Sequence, residues 1–587
     1  MLKHWFKKKT VADTVSSPSP QDAFAGEIAS WLERAGQDEL GGDLESAEAC
    51  YRKVLEIDPA HVDANFGLGL LKKRLGEFAE AIDCFGKAVD RDPTHAEAYY
   101  HLGTVYQAAD RDEDAVDAYG MAVYYRPDHA DANTGLIKLH KDKGNWTDVL
   151  ACCKAWVERC PGCAAAHLHY ADFYTKTEDF ENASEEFRLA LELEPDWVKA
   201  LTGLGYARLM LDDNEAAAEI LERALSAQPG NFSAQVNLAC AYRHLGQFDR
   251  ALALFDRVLK HQPNEFWARI TRAQTLLALK RFEEGWLDYE ARFQTEPTRF
   301  RTLPFPLWKG EPLDGKTLFV YAEQGLGDEI MFASCLPDVI ARVGHCVIEC
   351  DSRLEKLFRR SFPSASVFAG HREDVPSWLD RAPPIDLKIP IGSLGRYFRN
   401  RIEDFPDHRG YLKADPERIA YWKARLNDLG PGLKIGFSWR GGTRKTRTQV
   451  RTLALEQWVP VFRQSGCQFV NLQYGNGAGD VEELKSAHGL GNVHHWQEAI
   501  DDYDETAALV SGLDLVVTVC TAIVHLSGAL GVPVWVLTPS VPEWRYMQSG
   551  EAMPWYPSSR LFRQTEAGNW PPVLERVQRE LDCLRNF

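Results

Sequence analysis

Eight prolines recur at one fixed spacing of 34 residues: Pro59, Pro93, Pro127, Pro161, Pro195, Pro229, Pro263 and Pro297. So regular a recurrence, across almost half the chain, restricts that half to a stack of equivalent supersecondary units. Proline cannot continue a helix, so each one marks the end of a unit's second helix. With the proline as position 32, the units begin near Ile28, Val62, Ala96, Ala130, Ala164, Val198, Phe232 and Phe266. Position 8 is then Ala35, Gly69, Gly103, Ile137, Ala171, Gly205, Ala239 and Ala273, and position 20 is Ala47, Ala81, Ala115, Val149, Ala183, Ala217, Ala251 and Gly285. Two helices that cross at these points need small side chains there.

This pattern resembles the tetratricopeptide-repeat family over residues 28–297. The resemblance implies an all-α solenoid of about eight units (26–297) whose concave face binds a peptide or partner protein. The fourth unit departs from it, with Ile137, Val149 and Trp156 in place of small residues. Asn65, Asn133 and Asn237 fall on first helices and are candidates to hydrogen-bond an extended backbone; solvated helix residues are the alternative. Nothing in this half has a catalytic pattern. Residues 1–25 are Ser/Pro-rich and are expected to be a disordered basic tail, with Lys3, Lys7, Lys8, Lys9, Trp5 and Phe6 suited to an anionic surface. Cys152, Cys153, Cys160 and Cys163 form the one cysteine cluster, but Pro161 within it is simply the repeat proline, which favours packing over metal binding.

Composition narrows the function classes. A net charge of −18 and a pI near 5.5 oppose broad nucleic-acid binding. No apolar run approaches the roughly 18–20 residues that span a membrane, so no transmembrane segment is expected. No apolar stretch follows the basic start, as a secretory signal would require. Thirteen cysteines without such a signal suggest reduced thiols and a cytoplasmic location.

After a Pro- and aromatic-rich linker (298–312), the pattern changes near Leu313. Candidate strands are Thr317–Ala322, Cys346–Glu349, Ser366–Phe368, Lys434–Ser438, Gln468–Leu472, Leu513–Val519 and Pro533–Thr538, with helices between them. Such alternation implies parallel sheets. The Pro-containing stretch Asp404–Gly432 divides the strands into two groups. The expected fold is therefore an α/β domain of two Rossmann-like lobes, about 313–415 and 432–572, with a terminal helix 573–587. Ligands of such sheets sit at the carboxyl ends of the strands.

Three segments carry candidate chemistry. In Tyr321-Ala-Glu-Gln-Gly325-Leu-Gly327-Asp328 a strand ends, glycines turn the chain and a helix starts, which places Asp328 at a helix N-terminus. A carboxylate there suits removal of a hydroxyl proton; a plain N-cap is the alternative. The stretch Trp439-Arg440-Gly441-Gly442-Thr-Arg444-Lys445-Thr-Arg447 to Arg451 is a basic Gly-rich loop in an acidic chain, suited to phosphate. In Cys520-Thr521-Ala522-Ile-Val-His525 a strand gives way to a helix whose first amides offer an anion seat, with His525 one turn after Thr521.

Together these segments resemble the GT-B glycosyltransferases over residues 313–587, in particular the heptosyltransferase-like group, with similarity to repeat-bearing O-linked N-acetylglucosamine transferases. In that group the Gly-Asp pair, here Gly327-Asp328, supplies the catalytic carboxylate, and a late Asp-Thr-x-x-x-His motif corresponds to Cys520-Thr521-Ala-Ile-Val-His525. Cys520 stands where that motif has aspartate. The resemblance implies an inverting, metal-independent protein O-glycosyltransferase with Asp328 as base. Gly325, Gly327, Trp439, Arg440, Gly441, Lys445, Arg451, Thr521, Ala522, His525 and Arg545 would hold the nucleotide-sugar donor and its phosphate. Trp544 and Trp555 would border it, core packing being the alternative for Trp544. No cofactor is expected beyond that donor, and the Asp502-Tyr-Asp504 pattern is not read as a metal site. The architecture also resembles transferases that decorate bacterial flagellins, which makes flagellin the expected acceptor partner. The alternatives are a scaffold with a degenerate transferase domain and a transferase acting on a lipid-linked or polysaccharide acceptor.

Overall fold

The structure is a computed structural model that describes residues 21–294, 301, 303–370, 376–442, 447–475 and 477–585. Most of the amino-terminal tail, Pro297 and Lys445 lie outside the described residues. The chain divides at Gly230/Asn231 into two compact units.

The first unit holds six helix pairs, from Gln21–Gly41 with Leu44–Ile57 to Val198–Met210 with Asn214–Ala227. The first helix begins at Gln21, inside the stretch expected as tail. Second helices end on Asp58, Asp92, Arg126, Cys160, Glu194 and Gln228, each still donating its N–H to the helix and each followed by the periodic proline. A large side chain from position 24 lies over the small residue at position 8. A Cβ on Gly69 would come within 2.7 Å of the Phe85 ring, and one on Gly103 within 2.6 Å of Tyr119. The fourth unit reverses this distribution of volume. Cys153 replaces the aromatic, while Ile137, Val149 and Trp156 fill the space, all of them in one buried cluster. Its departure from the repeat pattern is therefore compensated packing.

The buried Asn65 and Asn133 do not await a peptide backbone. Asn65 Nδ2 donates to the carbonyls of Pro59 and His61 at 3.1 and 3.0 Å, and Asn133 Nδ2 to those of Pro127 and His129, both at 3.0 Å. They hold the turn between units. His167 takes the equivalent place in its unit through Pro161 O at 3.0 Å.

The second unit begins with the helix pairs Phe232–His244/Phe248–His261 and Phe266–Ala278/Phe282–Tyr289, then turns through Glu290–Gln294 into two parallel sheets. The first lobe has strands β1 (Thr317–Tyr321), β2 (His345–Cys350), β3 (Ser366–Ala369) and β4 (Leu387–Pro390), ordered β3-β2-β1-β4. The second has β5 (Leu433–Ser438), β6 (Cys467–Asn471), β7 (Val493–His494), β8 (Leu515–Val519), β9 (Val534–Thr538) and β10 (Ser559–Arg563), ordered β10-β9-β8-β5-β6-β7. Every strand pair is parallel. The chain is thus a helical repeat region followed by an α/β region. The expected linker adds to the first sheet, where Lys388 N donates to Pro306 O and Trp308 N to Lys388 O, both at 2.9 Å. The terminal helix Pro571–Arg585 packs on the second lobe.

The last two repeats are built into the α/β region. Trp286 meets Trp544, Trp555 and Phe332 in one aromatic cluster, and Gln548 N donates to Ala278 O at 3.1 Å. Among the described residues no helix is long and apolar enough to cross a membrane.

Because the fourth unit has no room for the usual aromatic, Cys153→Phe should lower stability by about 1–3 kcal/mol. Urea unfolding of the two proteins gives the comparison.

Candidate active site

The site begins at a buried carboxylate just beyond β1. Glu323 accepts from Arg292 Nη2 at 3.0 Å, Arg292 Nε at 3.2 Å and Gly392 N at 3.1 Å. Beside it, Tyr289 donates its hydroxyl to Gln324 Oε1 at 3.0 Å. Tyr289 is the position-24 aromatic of the last repeat, and Arg292 lies three residues after it. These contacts fix the chain before it turns at Gly325 into helix Leu326–Phe332.

That helix packs against helix Ala522–Ala529 of the second lobe. A Cβ on Gly327 would lie 3.1 Å from His525 Cδ2 and 3.4 Å from Ala522 Cα, so a side chain there would crowd the facing helix. The loop after β5 closes on the same turn, since a Cβ on Gly441 would lie 2.6 Å from Cys520 O. Thr521 caps its helix by accepting from Ile523 N at 3.2 Å. Gly325, Gly327, Asp328, Gly441, Thr521, Ala522 and His525 are therefore gathered where the carboxyl ends of the two sheets face one another, the usual ligand position in such sheets.

The charged residues are arranged otherwise than expected. Arg545, read from sequence as a phosphate ligand, holds Asp328. Its Nε donates to Asp328 Oδ1 at 2.7 Å, and its Nη2 donates to the same oxygen. Arg545 Nη1 donates to Glu543 Oε2 at 3.1 Å, and Arg451 Nη1 pairs with Glu543 Oε1 at 3.0 Å. Burial alone would lower the Arg545 guanidinium, but Asp328 and Glu543 hold it above its ordinary value. Four alternating charges thus run from the first lobe into the second. Arg451, also read as a phosphate ligand, is buried at the end of this row.

Two further expectations are corrected. Trp439 is buried in the core of the second lobe, stacked on Phe437, and does not face the cleft. Trp544 and Trp555 are buried as well, in the aromatic cluster around Trp286, which for Trp544 is the core-packing alternative. Arg440 is exposed and pairs with Asp480 at 2.9 Å, while its backbone N–H and that of Trp439 go to Gln473 Oε1 at 2.9 and 3.2 Å. Asp502 and Asp504 pair with Lys356 at 3.2 Å and Arg360 at 2.6 Å of the first lobe. Among the described residues no group of three or more His, Cys, Asp or Glu could hold a metal ion.

His525 is buried, and its Nδ1 lies 3.1 Å from the Tyr556 hydroxyl. Tyr411 donates its hydroxyl to Ile330 O at 2.6 Å. The Tyr556 hydroxyl is thus the polar neighbour of the His525 imidazole. Burial, and then the Arg545 charge, push this imidazole down to about 3. Cys520 is pushed up to about 12 by burial, so it is a neutral thiol, and its Sγ lies 3.8 Å from Leu537 O. It cannot supply the negative charge of the aspartate it replaces.

Sequence reasoning missed Arg292, Glu323, Gln324, Glu543, Tyr411 and Tyr556. It also missed Arg243 and His244, which end helix Phe232–His244 and approach Arg447, whose charge adds to burial in lowering both groups. Glu323 and Gln324 lie in the strand-to-helix motif after β1, and Glu543 beside Arg545 and Tyr556 beside Trp555 lie in segments that sequence inspection also singles out.

Two outcomes follow. Gly327→Val should wedge the facing helices apart and cost about 1–3 kcal/mol, read in thermal or urea midpoints. An unfolded histidine protonates near pH 6.5, whereas folded His525 does so only near 3. Its contribution to stability is thus full above pH 6.5 and declines as the pH falls toward 3. His525→Asn should lose less stability than the wild-type chain between pH 6.5 and about 4.

Family-model matches fall in the amino-terminal half of the chain. Tetratricopeptide-repeat family models match residues 41–61, 71–110, 97–129, 174–232, 208–268 and 243–285. Protein FlbA of Caulobacter vibrioides is 37% identical over 329 residues, covering 53% of this chain and 54% of that protein. The chain thus spans about half the length of this curated relative. Among solved structures, YrrB, a TPR protein with an unusual peptide-binding site, is 21% identical, covering 31% of this chain and 95% of its own, with a TM-score of 0.27. PilF of Pseudomonas aeruginosa is 18% identical, covering 36% and 97%, with a TM-score of 0.31. The amino-terminal region of the chain is built of tetratricopeptide repeats.

Proposed function

We propose that the chain is a GT-B protein O-glycosyltransferase. The observation that carries this reading is the position of Asp328, partly exposed in the first turn of a helix whose glycine lies against Ala522 and His525 of the opposing lobe. A nucleotide-activated sugar would sit between the lobes, its phosphate at the first amides of helix Ala522–Ala529. Asp328 would take the proton of a Ser or Thr hydroxyl as that oxygen attacks the anomeric carbon. The bond from anomeric carbon to phosphate oxygen breaks, the nucleotide leaves with the electron pair, and the anomeric centre inverts. The leaving charge is met by helix amides and basic side chains, so this reading calls for no metal.

The repeats would recruit the polypeptide acceptor, and flagellin is the acceptor we propose. Their fusion to the α/β region through Trp286, Tyr289 and Arg292 favours delivery of a protein substrate over service as a detached adaptor. The neutral Cys520 supports a second reading, a scaffold with a degenerate transferase domain.

A thermal-shift panel of UDP-, GDP-, ADP- and CMP-sugars separates the two. Stabilisation by at least one donor is expected, and none by any would favour the scaffold. With the active donor, Asp328→Ala should reduce transfer by about 10²–10⁴-fold while keeping the donor shift. Loss of the shift itself would make Asp328 a binding or structural residue.

A further inference from the structure

The Asp328–Arg545 contact joins two residues that the proposed reaction needs for different tasks. Arg545 lies in the turn Trp544–Tyr546 after β9, in the second lobe, and Asp328 lies in the first. The guanidinium rests over the Trp544 ring at 4.8 Å and is steadied by Glu543, so it is held in place without Asp328. Both side chains keep some exposure, 14% for Arg545 and 21% for Asp328, so both remain open to a ligand between the lobes. Arg545 spends Nε and Nη2 on a single oxygen of Asp328 and Nη1 on Glu543. A guanidinium fork suits phosphate oxygens as well as it suits a carboxylate. Asp328 bound in this way has an oxygen occupied by the guanidinium and not turned to an acceptor hydroxyl.

We propose that Arg545 couples the two substrates of the reaction: without donor it holds Asp328, and the phosphate of the bound nucleotide draws the guanidinium to itself and leaves the carboxylate for the acceptor. This rests on the glycosyltransferase reading above. It makes Asp328 and the donor phosphate competitors for one cation, and such competition is reciprocal. It also means that the carboxylate becomes free for an acceptor hydroxyl only after the donor has bound.

A double-mutant cycle on nucleotide affinity tests this with the full-length protein. Titration calorimetry with UDP, GDP, ADP and CMP first identifies the nucleotide that the wild-type chain binds. Asp328→Asn, nearly the same shape but without the charge, should bind that nucleotide about five- to tenfold more tightly, because its competitor for Arg545 is gone. Arg545→Gln should bind it about tenfold or more weakly, and adding Asp328→Asn to Arg545→Gln should restore nothing. Equal tightening in both backgrounds would mean simple charge repulsion between Asp328 and phosphate and would overturn the proposal. Absence of tightening in the wild-type background would overturn it as well. Should Arg545→Gln fail to fold, Arg545→Lys closes the cycle, since a point charge cannot reproduce the fork and the tightening should shrink. If the wild-type chain binds none of the four nucleotides, the glycosyltransferase reading itself falls, which is distinguishable from failure of the coupling alone.

Discussion

The buried pair of Arg292 and Glu323 is the contact on which the arrangement of the site depends. Glu323 is fully enclosed, and a buried carboxylate without its cation is strongly disfavoured; removal of one partner from such a pair costs about 3–5 kcal/mol. Arg292 belongs to the end of the last repeat and Glu323 to the end of β1. The pair therefore joins the repeat lattice to the strand that presents Asp328. Ser393 and Gly392, just beyond β4, complete the enclosure, with Arg292 Nη2 donating to Ser393 Oγ at 2.7 Å. Two hydrogen-bonded residues later the chain turns at Gly325, and the orientation of helix Leu326–Phe332 follows from that anchored start.

The same logic explains why the last two repeats group with the α/β region and not with the repeats before them. Position 24 of a unit normally fills the space over its own first helix. In the last unit that residue is Tyr289, whose hydroxyl reaches Gln324 in the first lobe. Trp286 joins the aromatic cluster of Trp544 and Trp555 and donates Nε1 to Arg399 O at 2.8 Å. The lobes themselves are tied by Lys356–Asp502 and Arg360–Asp504, and by Tyr411 and Leu412 donating to Ala529 O at 2.8 and 2.9 Å.

Much of this architecture is legible in the sequence, for physical reasons. A proline at fixed spacing leaves one interpretation, and seven of the ten strands among the described residues are apolar runs flanked by turn residues. The missed strands lack that signal. β4 is only Leu-Lys-Ile-Pro and β7 is two residues long, while β10 carries Arg560 and Arg563 as an edge strand beside β9. The site was legible as a set of motifs but not as a set of contacts. Gly327, Gly441 and Thr521 announce turns at strand ends, and turns at strand ends meet in such folds. Spacing says nothing about which way Trp439 faces, or that Arg545 selects Asp328, a residue 217 positions away. Asn65 and Asn133 were misread because a helix-borne asparagine looks the same in sequence whether it serves a ligand or its own turn.

The central claim is that Asp328 removes a proton during sugar transfer to a protein. The most direct measurement is the intact mass of flagellin from cells that carry the wild-type chain and from cells that carry Asp328→Asn at matched protein levels. The account predicts flagellin heavier by whole sugar units in the first case and unmodified in the second, with purified Asp328→Asn protein still folded. Identical flagellin masses from the two strains would contradict it.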